Sequence, residues 1–357
     1  MASAFPPPPL ESIEWNKLGF GHVREVNGHV ECDYDTATRT WSAPRFVKDP
    51  YLRVHGLAPG LNYGQQAFEG MKAFRDPQGQ ILVFRPADHA KRFQVSCSAI
   101  AIPVIPEDLF LQSVYLALAR NAEFVPPHDS EAAMYVRPLA FGSEGFFAVS
   151  AGPGYKFCVF TQPFTAYHGV NPVKALVLDE FDRAAPLGTG HVKVGGNYAP
   201  VLKWSDQAHA DGYTLTLHLD SRTHSEIDEF STSGFIGIRV EDEKYTLVVP
   251  DSKSVLKSVT SMSVLDLARS FGWGVEVRPI PFTELSAFTE VLAVGTAAMI
   301  VPVRSITRKS TGDVFEYGTE PGPRCQRLSR ALKAIQRGID PDPFGWVQRV
   351  PPETLAD

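Results

Sequence analysis

Hydrophobic and polar positions change their spacing repeatedly along the chain, and these changes predict interleaved strands and helices. Residues 28–44 alternate around a polar turn, which is typical of a β-hairpin. Short apolar runs at 79–86, 132–142 and 155–163 predict buried strands. Further strands are expected in the second half, at 213–220, 235–240, 245–250 and on both sides of a small-residue turn within 290–306.

Four segments have the apolar spacing of an amphipathic helix. The first precedes Pro103, the second precedes Pro126, the third is followed by Gly212 and the fourth ends at Gly272. Proline and glycine are common terminators of helices, so the boundaries agree with the periodicity. The helices are expected at 87–102, 107–125, 198–210 and 261–272.

The pattern loosens after residue 163, where proline and glycine recur. We therefore expect a small N-terminal domain at 1–163, an interdomain loop at 164–172 and a large domain at 173–357. A chain of 357 residues is long enough for about two domains of ordinary size. Strands and helices interleave without a regular βαβ rhythm, which indicates an α+β fold and argues against a doubly wound sheet.

Composition and charge exclude several classes of function. The net charge is −6 with both signs mixed along the chain, so no basic stripe indicates a nucleic-acid partner. No apolar run has the length of a membrane span. The four cysteines form no C-x-x-C pair, and no metal site is predicted. The N-terminal segment resembles neither a secretory signal nor a transit peptide, and a cytoplasmic location is the expectation.

One lysine stands among small residues in the segment GTGHVKVGGNYAP, residues 188–200. The segment lacks the G-K-[ST] of a phosphate-binding P-loop, and Lys193 occupies the third glycine position of a dinucleotide fingerprint. Neither kind of phosphate loop is therefore indicated. Taken alone, this segment leaves open that Lys193 is an ordinary surface charge.

Seven motifs in order change that interpretation. Together they resemble the branched-chain amino acid aminotransferases, which are fold type IV enzymes that use pyridoxal 5′-phosphate. The resemblance covers nearly the whole chain. The motifs are LNYGQQAFEGMKAF (61–74), FRPADHAKR (84–92), YVRPLAFG (135–142), GTGHVKVGGNYAP (188–200), EIDEFSTSGFIGI (226–238), SVLKSVTSMSVLDLA (254–268) and VGTAAMIVPV (294–303).

The resemblance implies a smaller N-terminal α/β sandwich, a larger C-terminal domain with a barrel-like sheet, and a homodimer. Lys193 is implied as the lysine that forms a Schiff base with the cofactor and carries the proton in catalysis. Both tasks need a neutral amine, and the pKa of a lysine falls readily in a partly desolvated site. Tyr198 resembles the tyrosine that bonds the phenolic oxygen, and Glu229 the carboxylate on the pyridine nitrogen. Without the resemblance, Glu229 would be interpreted as a solvated acid.

Five further positions match cofactor-binding residues of this family. Arg92 and Thr296 resemble phosphate contacts, whereas the residues alone also permit an exposed helix charge and a strand-end threonine. Val259 and Thr260 begin a predicted helix, whose free N–H groups attract a dianion. Leu256 would pack on the ring face, or be an ordinary core residue.

The same resemblance implies a substrate pocket. Aromatic residues often line such pockets, although they line protein cores more often. Arg137 resembles the arginine that accepts the side-chain carboxylate of glutamate, and an arginine offers paired donors to such a group. The remaining substrate-binding candidates are Tyr63, Phe68, Tyr135, Thr232 and Ala297.

The expected activity is transfer of an amino group between a branched-chain or similar hydrophobic L-amino acid and 2-oxoglutarate. Gly234 stands where the family usually has asparagine, and the glutamines in NYGQQAF replace more apolar residues, so the substrate range is open. The alternatives are a specialised biosynthetic aminotransferase, an (R)-selective amine or D-amino acid transaminase, an aminodeoxychorismate lyase, and a binding protein that has lost catalysis.

Overall fold

The computed structural model describes residues 5–19, 21–165 and 171–352 and divides the chain into two compact units. The first unit contains residues 5–19, 21–165, Lys193–Gly195 and 334–352. The second unit contains 171–192 and Gly196–Lys333. Each unit is built around its own sheet with helices packed on it, an antiparallel sheet in the first unit and a mixed sheet in the second.

The strands and helices of the described residues follow the interleaved pattern expected from the sequence. The strands are β1 His29–Asp35, β2 Thr40–Trp41, β3 Arg45–Val47, β4 Gln66–Phe68, β5 Met71–Arg75, β6 Ile81–Phe84, β7 Ala132–Gly142, β8 Tyr155–Thr165, β9 Val173–Val177, β10 Leu215–Leu219, β11 Ile227–Phe230, β12 Gly234–Glu241, β13 Lys244–Pro250, β14 Gly274–Arg278, β15 Glu290–Gly295, β16 Met299–Arg308, β17 Asp313–Glu316 and β18 Val347–Arg349. The α-helices are α1 Pro59–Asn62, α2 Pro86–Ala99, α3 Glu107–Arg120, α4 Leu202–Ala210, α5 Val259–Ser270 and α6 Pro323–Gln336.

The sheet of the first unit has the strand order β18-β6-β5-β7-β8-β1-β2, with β3 paired to β1 and β4 paired to β7. Its long central hairpin, β7 and β8, pairs Ala132 with Thr165 and runs to Gly142 opposite Tyr155. Tyr135 and Arg137 are two residues apart on β7, so their side chains point to the same face of the sheet.

The sheet of the second unit has the order β11-β10-β9-β16-β15-β12-β13-β14, with β17 paired to β16. Most neighbours are antiparallel, whereas β9 runs parallel to both β10 and β16, and β13 runs parallel to β14. A core of apolar side chains, among them Phe230, Phe235 and Val291, is buried against this sheet. Burial of such side chains provides the main stabilisation of the unit.

Helix α2 is fixed in the first unit at its N-terminus and along its apolar face. Pro86 stands at its first turn, where a missing N–H is harmless. Arg85 precedes it with a left-handed φ of 49°, and its Nε donates to Asp88 Oδ2 at 2.6 Å. Phe93 is fully buried against Phe110 of α3, at a ring-centroid distance of 5.6 Å.

The structure confirms the α+β composition and the elements read from periodicity, with small shifts at their ends. The helix expected to reach Pro126 ends at Arg120, and a short 3-10 turn, Ala122–Phe124, follows it. No helix within the described ranges is both long and apolar enough to cross a membrane.

The division into units departs from the expected domain boundaries at three places. Phe164, expected in the interdomain loop, lies in β8, while residues 166–170 of that loop are outside the described part of the chain. Lys193–Gly195 and residues 334–352 group with the first unit. The C-terminal part does so because β18 pairs with β6, a long-range contact that periodicity does not encode.

Candidate active site

Lys193 is held through its backbone by two elements of the first unit. The Phe68 N–H of β4 donates to the Lys193 carbonyl at 3.1 Å, and the Lys193 N–H donates to Ser96 Oγ of α2 at 2.9 Å. Ala67 and Val194 form an isolated β-bridge beside these bonds. The Lys193 side chain is half-buried, and its Nζ lies 4.5 Å from the centroid of the Phe68 ring.

The loop that precedes this lysine is closed by Asn197, a buried residue of the second unit. Its Nδ2 donates to the carbonyls of Thr189 at 2.6 Å and Val192 at 2.8 Å, and Thr189 Oγ1 donates to Asn197 Oδ1 at 3.1 Å. Gly190 is required here, because a Cβ would stand 2.6 Å from the Ser254 carbonyl oxygen. The loop is therefore ordered by its own side chains.

Arg92 forms a two-pronged ion pair with Glu69 at the end of β4. Arg92 Nε donates to Glu69 Oε1 at 2.6 Å, and Nη2 donates to Oε2 at 2.8 Å. Glu69 is fully buried and also lies 2.7 Å, through Oε2, from His89 Nδ1. Burial alone would raise the pKa of Glu69, but Arg92 and His89 overcome that effect and hold this pKa well below its usual range.

The expected substrate residues of the first unit form one cluster, with a single exception. Arg137 is exposed and its Nη2 donates to Tyr135 Oη at 3.0 Å. The Arg137 guanidinium also lies 5.0 Å from the ring centroids of both Phe68 and Tyr135. Phe164 packs edge-on against Tyr135 at 5.7 Å. Tyr63 is the exception: it is 48% exposed, and within the described chain no ring contact joins it to this cluster.

Gly70 leaves room for Tyr135. A Cβ on Gly70 would lie 1.9 Å from Tyr135 Oη, although Gly70 has no positive φ. We expect Gly70→Ala to displace the tyrosine and to lower the free energy of unfolding by about 1–3 kcal/mol, as overpacking does. Urea unfolding measures this loss, and Gly56→Ala is the control because no atom lies within 4 Å of its added Cβ. Equal stability of the two variants would contradict the expected clash.

Glu229 is buried in the second unit rather than solvated, with 4% of its surface exposed. Arg183 Nη1 donates to Glu229 Oε1, and the Leu256 N–H donates to the same oxygen at 3.3 Å. The Arg183 guanidinium also lies 5.9 Å from the Tyr198 ring centroid. A guanidinium in contact with a carboxylate favours its ionised form.

Helix α5 begins with Val259 and Thr260, both buried, after the N-cap residue Ser258. Ser258 Oγ accepts the Ser261 N–H at 3.1 Å. Ser261 Oγ is itself buried, and it has no hydrogen-bond partner among the described residues. A Cβ on Gly234 would lie 2.9 Å from that oxygen, so the glycine in place of the family's asparagine leaves room for the hydroxyl.

The three remaining candidates lie at strand ends of the second unit. Thr232 is exposed in the turn between β11 and β12. Thr296 and Ala297 are half-buried in the turn between β15 and β16. The predicted small-residue turn is therefore confirmed as a turn, while the ligand contacts of these residues stay predictions.

Sequence reasoning missed five residues that support the candidates: Glu69, His89, Ser96, Arg183 and Asn197. Glu69, His89, Arg183 and Asn197 lie inside the quoted motifs or a few residues before one, but no local pattern says what they contact. Arg183 is 46 residues from Glu229, and Ser96 is 97 residues from Lys193. Only an assembled fold brings such pairs together.

Comparison with known proteins shows which family the chain belongs to. A model of the family described as amino-transferase class IV matches residues 66–306. The aminotransferase atnJ of Emericella nidulans is 66% identical over 336 residues, covering 92% of this chain and 97% of that protein. The branched-chain amino acid aminotransferase gloG of Glarea lozoyensis is 52% identical over 356 residues, covering 98% and 99%.

Solved structures agree on the fold. The branched-chain amino acid aminotransferase of Escherichia coli superposes with a TM-score of 0.75 at 24% identity, covering 92% of this chain and 100% of that chain. The branched-chain amino acid aminotransferase of Thermobaculum terrenum, solved in its pyridoxal 5′-phosphate form, gives a TM-score of 0.73 at 22% identity, covering 92% and 100%. The fold type IV architecture and the resemblance read from the motifs are confirmed.

Family and fold together also identify the cofactor. The family match covers most of the chain, including the segment with Lys193, and class IV aminotransferases use pyridoxal 5′-phosphate. The cofactor of this protein is therefore pyridoxal 5′-phosphate, and the chain belongs to the class IV aminotransferases.

Proposed function

We propose that the protein transfers amino groups between branched-chain or similar hydrophobic L-amino acids and 2-oxoglutarate, with pyridoxal 5′-phosphate bound covalently at Lys193. The observation that carries the proposal is the cluster of Arg137, Tyr135 and Phe68 beside the Lys193 amine. It combines apolar faces with one exposed cation, which suits both a hydrophobic side chain and a carboxylate. The 52% identity to a relative named as a branched-chain amino acid aminotransferase supports it.

The described residues fit the cofactor. Glu229 is a buried carboxylate held in place by Arg183, which suits contact with a protonated pyridine nitrogen. Helix α5 offers first-turn N–H groups and the Ser261 hydroxyl, which has no hydrogen-bond partner in the described part of the chain, and these suit a phosphate dianion. We propose that Arg92, Thr260, Val259 and Thr296 contact the phosphate, and that Tyr198 and Leu256 contact the ring.

When bound, the cofactor would supply an electron-withdrawing ring that stabilises negative charge at the substrate Cα. The protein's own residues would perform the remaining tasks. The Lys193 amine would move the proton, Glu229 would keep the ring nitrogen protonated, and the Ala297 N–H would bind the substrate's α-carboxylate with Thr232 close by. Tyr63, Phe68 and Tyr135 would surround an apolar side chain.

Replacement of Arg137 tests the proposed recognition of glutamate. If this exposed guanidinium accepts the side-chain carboxylate of glutamate, Arg137→Ala should weaken the half-reaction with L-glutamate by about tenfold or more, the value of a charge-assisted hydrogen bond. The half-reaction with L-leucine should change much less. Single-turnover absorbance measurements with each amino acid report both reactions.

The wild-type protein serves as the reference, and Arg330→Ala, which removes an exposed arginine on α6 in the second unit, controls for general loss of a surface arginine. Equal losses with both amino acids would reject dual recognition by Arg137. No turnover of L-leucine by the wild type would reject the proposed substrate class.

We also propose a cytoplasmic homodimer. Exposed apolar side chains on α1 and on a neighbouring loop of the first unit support self-association, since large exposed apolar residues commonly mark protein interfaces. Leu61 of α1 is 66% exposed, and Phe147 and Val149 of the loop are 85% and 87% exposed. The Phe146 N–H donates to the Leu57 carbonyl and so joins this loop to the segment before α1. Light scattering of the purified protein tests the dimer.

A further inference from the structure

Glu69 lies in the motif at residues 61–74, but it has no role in the cofactor site or the substrate pocket proposed above. Its side chain is fully buried, and its carboxylate receives Arg92 Nε, Arg92 Nη2 and the Gly70 N–H, with His89 Nδ1 also within 2.7 Å. A buried carboxylate with this many partners is fixed in one orientation. It therefore fixes the plane of the Arg92 guanidinium as well.

Arg92 shares its face of helix α2 with His89 and Ser96. The spacings of three and four residues place the three side chains in one stripe along the helix. Ser96 is fully buried, donates to the Arg92 carbonyl at 3.1 Å and accepts the Lys193 N–H at 2.9 Å. This stripe of α2 thus contains Arg92, the candidate ligand of the cofactor phosphate. Through Ser96 it also contacts the backbone of Lys193, the residue proposed to bind the cofactor covalently.

A cofactor attached at one end and bound by its phosphate at the other requires a fixed spacing between those two points. A displacement of about 1 Å of such groups is enough to lower activity strongly. Lys193 and Arg92 belong to the same compact unit, and β4 and the residue after it bind both of them, through Phe68 and Glu69.

We propose that Glu69 and Ser96 are positioning residues that set this spacing: Glu69 orients Arg92 toward the cofactor phosphate, and Ser96 fixes the backbone of Lys193. The inference rests on the proposed function of Lys193 and Arg92. It assigns separate tasks to the two residues, so their removal should have different consequences.

Binding of pyridoxal 5′-phosphate and of pyridoxal, which lacks the phosphate, separates these tasks. The cofactor-free protein is titrated with each compound, and absorbance reports the fraction linked covalently to lysine. Glu69→Gln should weaken binding of the phosphorylated compound about tenfold or more and leave pyridoxal nearly unchanged, so the ratio of the two affinities falls. Ser96→Ala should weaken both compounds by the same factor and keep the ratio.

Matched variants control for general damage. Ser98→Ala removes an exposed hydroxyl two residues further along α2 and should bind both compounds like the wild type. Ser96→Thr keeps the hydroxyl and should recover binding lost in Ser96→Ala. Glu69→Asp replaces Glu69→Gln if the latter does not fold, because the shorter carboxylate also misplaces Arg92 and should lower the same ratio.

An unchanged affinity ratio in the folded Glu69 variant would overturn the role of Glu69. Unchanged affinities in Ser96→Ala, or a loss restricted to the phosphorylated compound, would overturn the role of Ser96. Failure of the wild type to link pyridoxal 5′-phosphate at Lys193 would instead reject the proposed function, and that result is read before any variant is made.

Discussion

Lys193→Ala should abolish transamination while the protein stays folded. The amine supplies both the covalent attachment of the cofactor and the movement of the proton, and alanine can do neither. The backbone bonds of residue 193, to Phe68 and Ser96, do not depend on its side chain, so the loop should keep its place. We expect turnover of L-leucine with 2-oxoglutarate to fall below detection, with a thermal unfolding midpoint near that of the cofactor-free wild type, because bound cofactor itself stabilises the folded protein.

Borohydride reduction identifies the attachment site directly. Reduction of the wild type should fix the cofactor on the peptide that contains Lys193, and peptide mass spectrometry detects it there. Lys91→Ala, which removes an exposed lysine next to Arg92, is the control and should keep full turnover. Label on a different lysine, or substantial activity in Lys193→Ala, would contradict the assignment.

Local sequence signals predicted the elements that carry the site, because each depends on neighbouring residues. The short apolar runs of β7 and β8, and Pro103 shortly after α2, act within a few positions of the chain. The pairing of β18 with β6 has no such signal, since a short strand near the C-terminus does not specify a partner in the first third of the chain. This is why the C-terminal strand groups with the first unit although its own sequence gives no sign of it.

The same contrast applies to individual site residues. Family motifs identify three site residues, Lys193, Tyr198 and Glu229. The same motifs do not identify the residues that contact them. Every residue of Ile227–Phe230 is buried. Asp228 and Glu229 are of a type that usually lies at the surface, but both are buried here. A buried acid is recognisable only when its counter-charge is found, and Arg183 becomes that counter-charge only in the folded chain.

Glu229→Gln should slow turnover by roughly a hundredfold, the size expected when a preorganised electrostatic contact is removed from a water-excluded site. The amide keeps the shape of the side chain, and its oxygen still accepts from Arg183 and from the Leu256 N–H. What is lost is the negative charge that favours a protonated ring nitrogen. Glu226→Gln, which neutralises an exposed acid three residues earlier, is the control and should be fully active.

The Arg183–Glu229 pair allows the catalytic and structural effects of this substitution to be separated. Removing one partner of a buried ion pair leaves an uncompensated charge and destabilises a protein by about 3–5 kcal/mol, whereas replacing both partners has a much smaller effect. Glu229→Gln and Arg183→Gln should therefore each lower the free energy of unfolding, and the double variant should recover most of the loss. Turnover should not recover, because the double variant still lacks the carboxylate. Urea unfolding and steady-state turnover of the three variants measure both effects, and recovered activity in the double variant would mean that Glu229 acts only through stability.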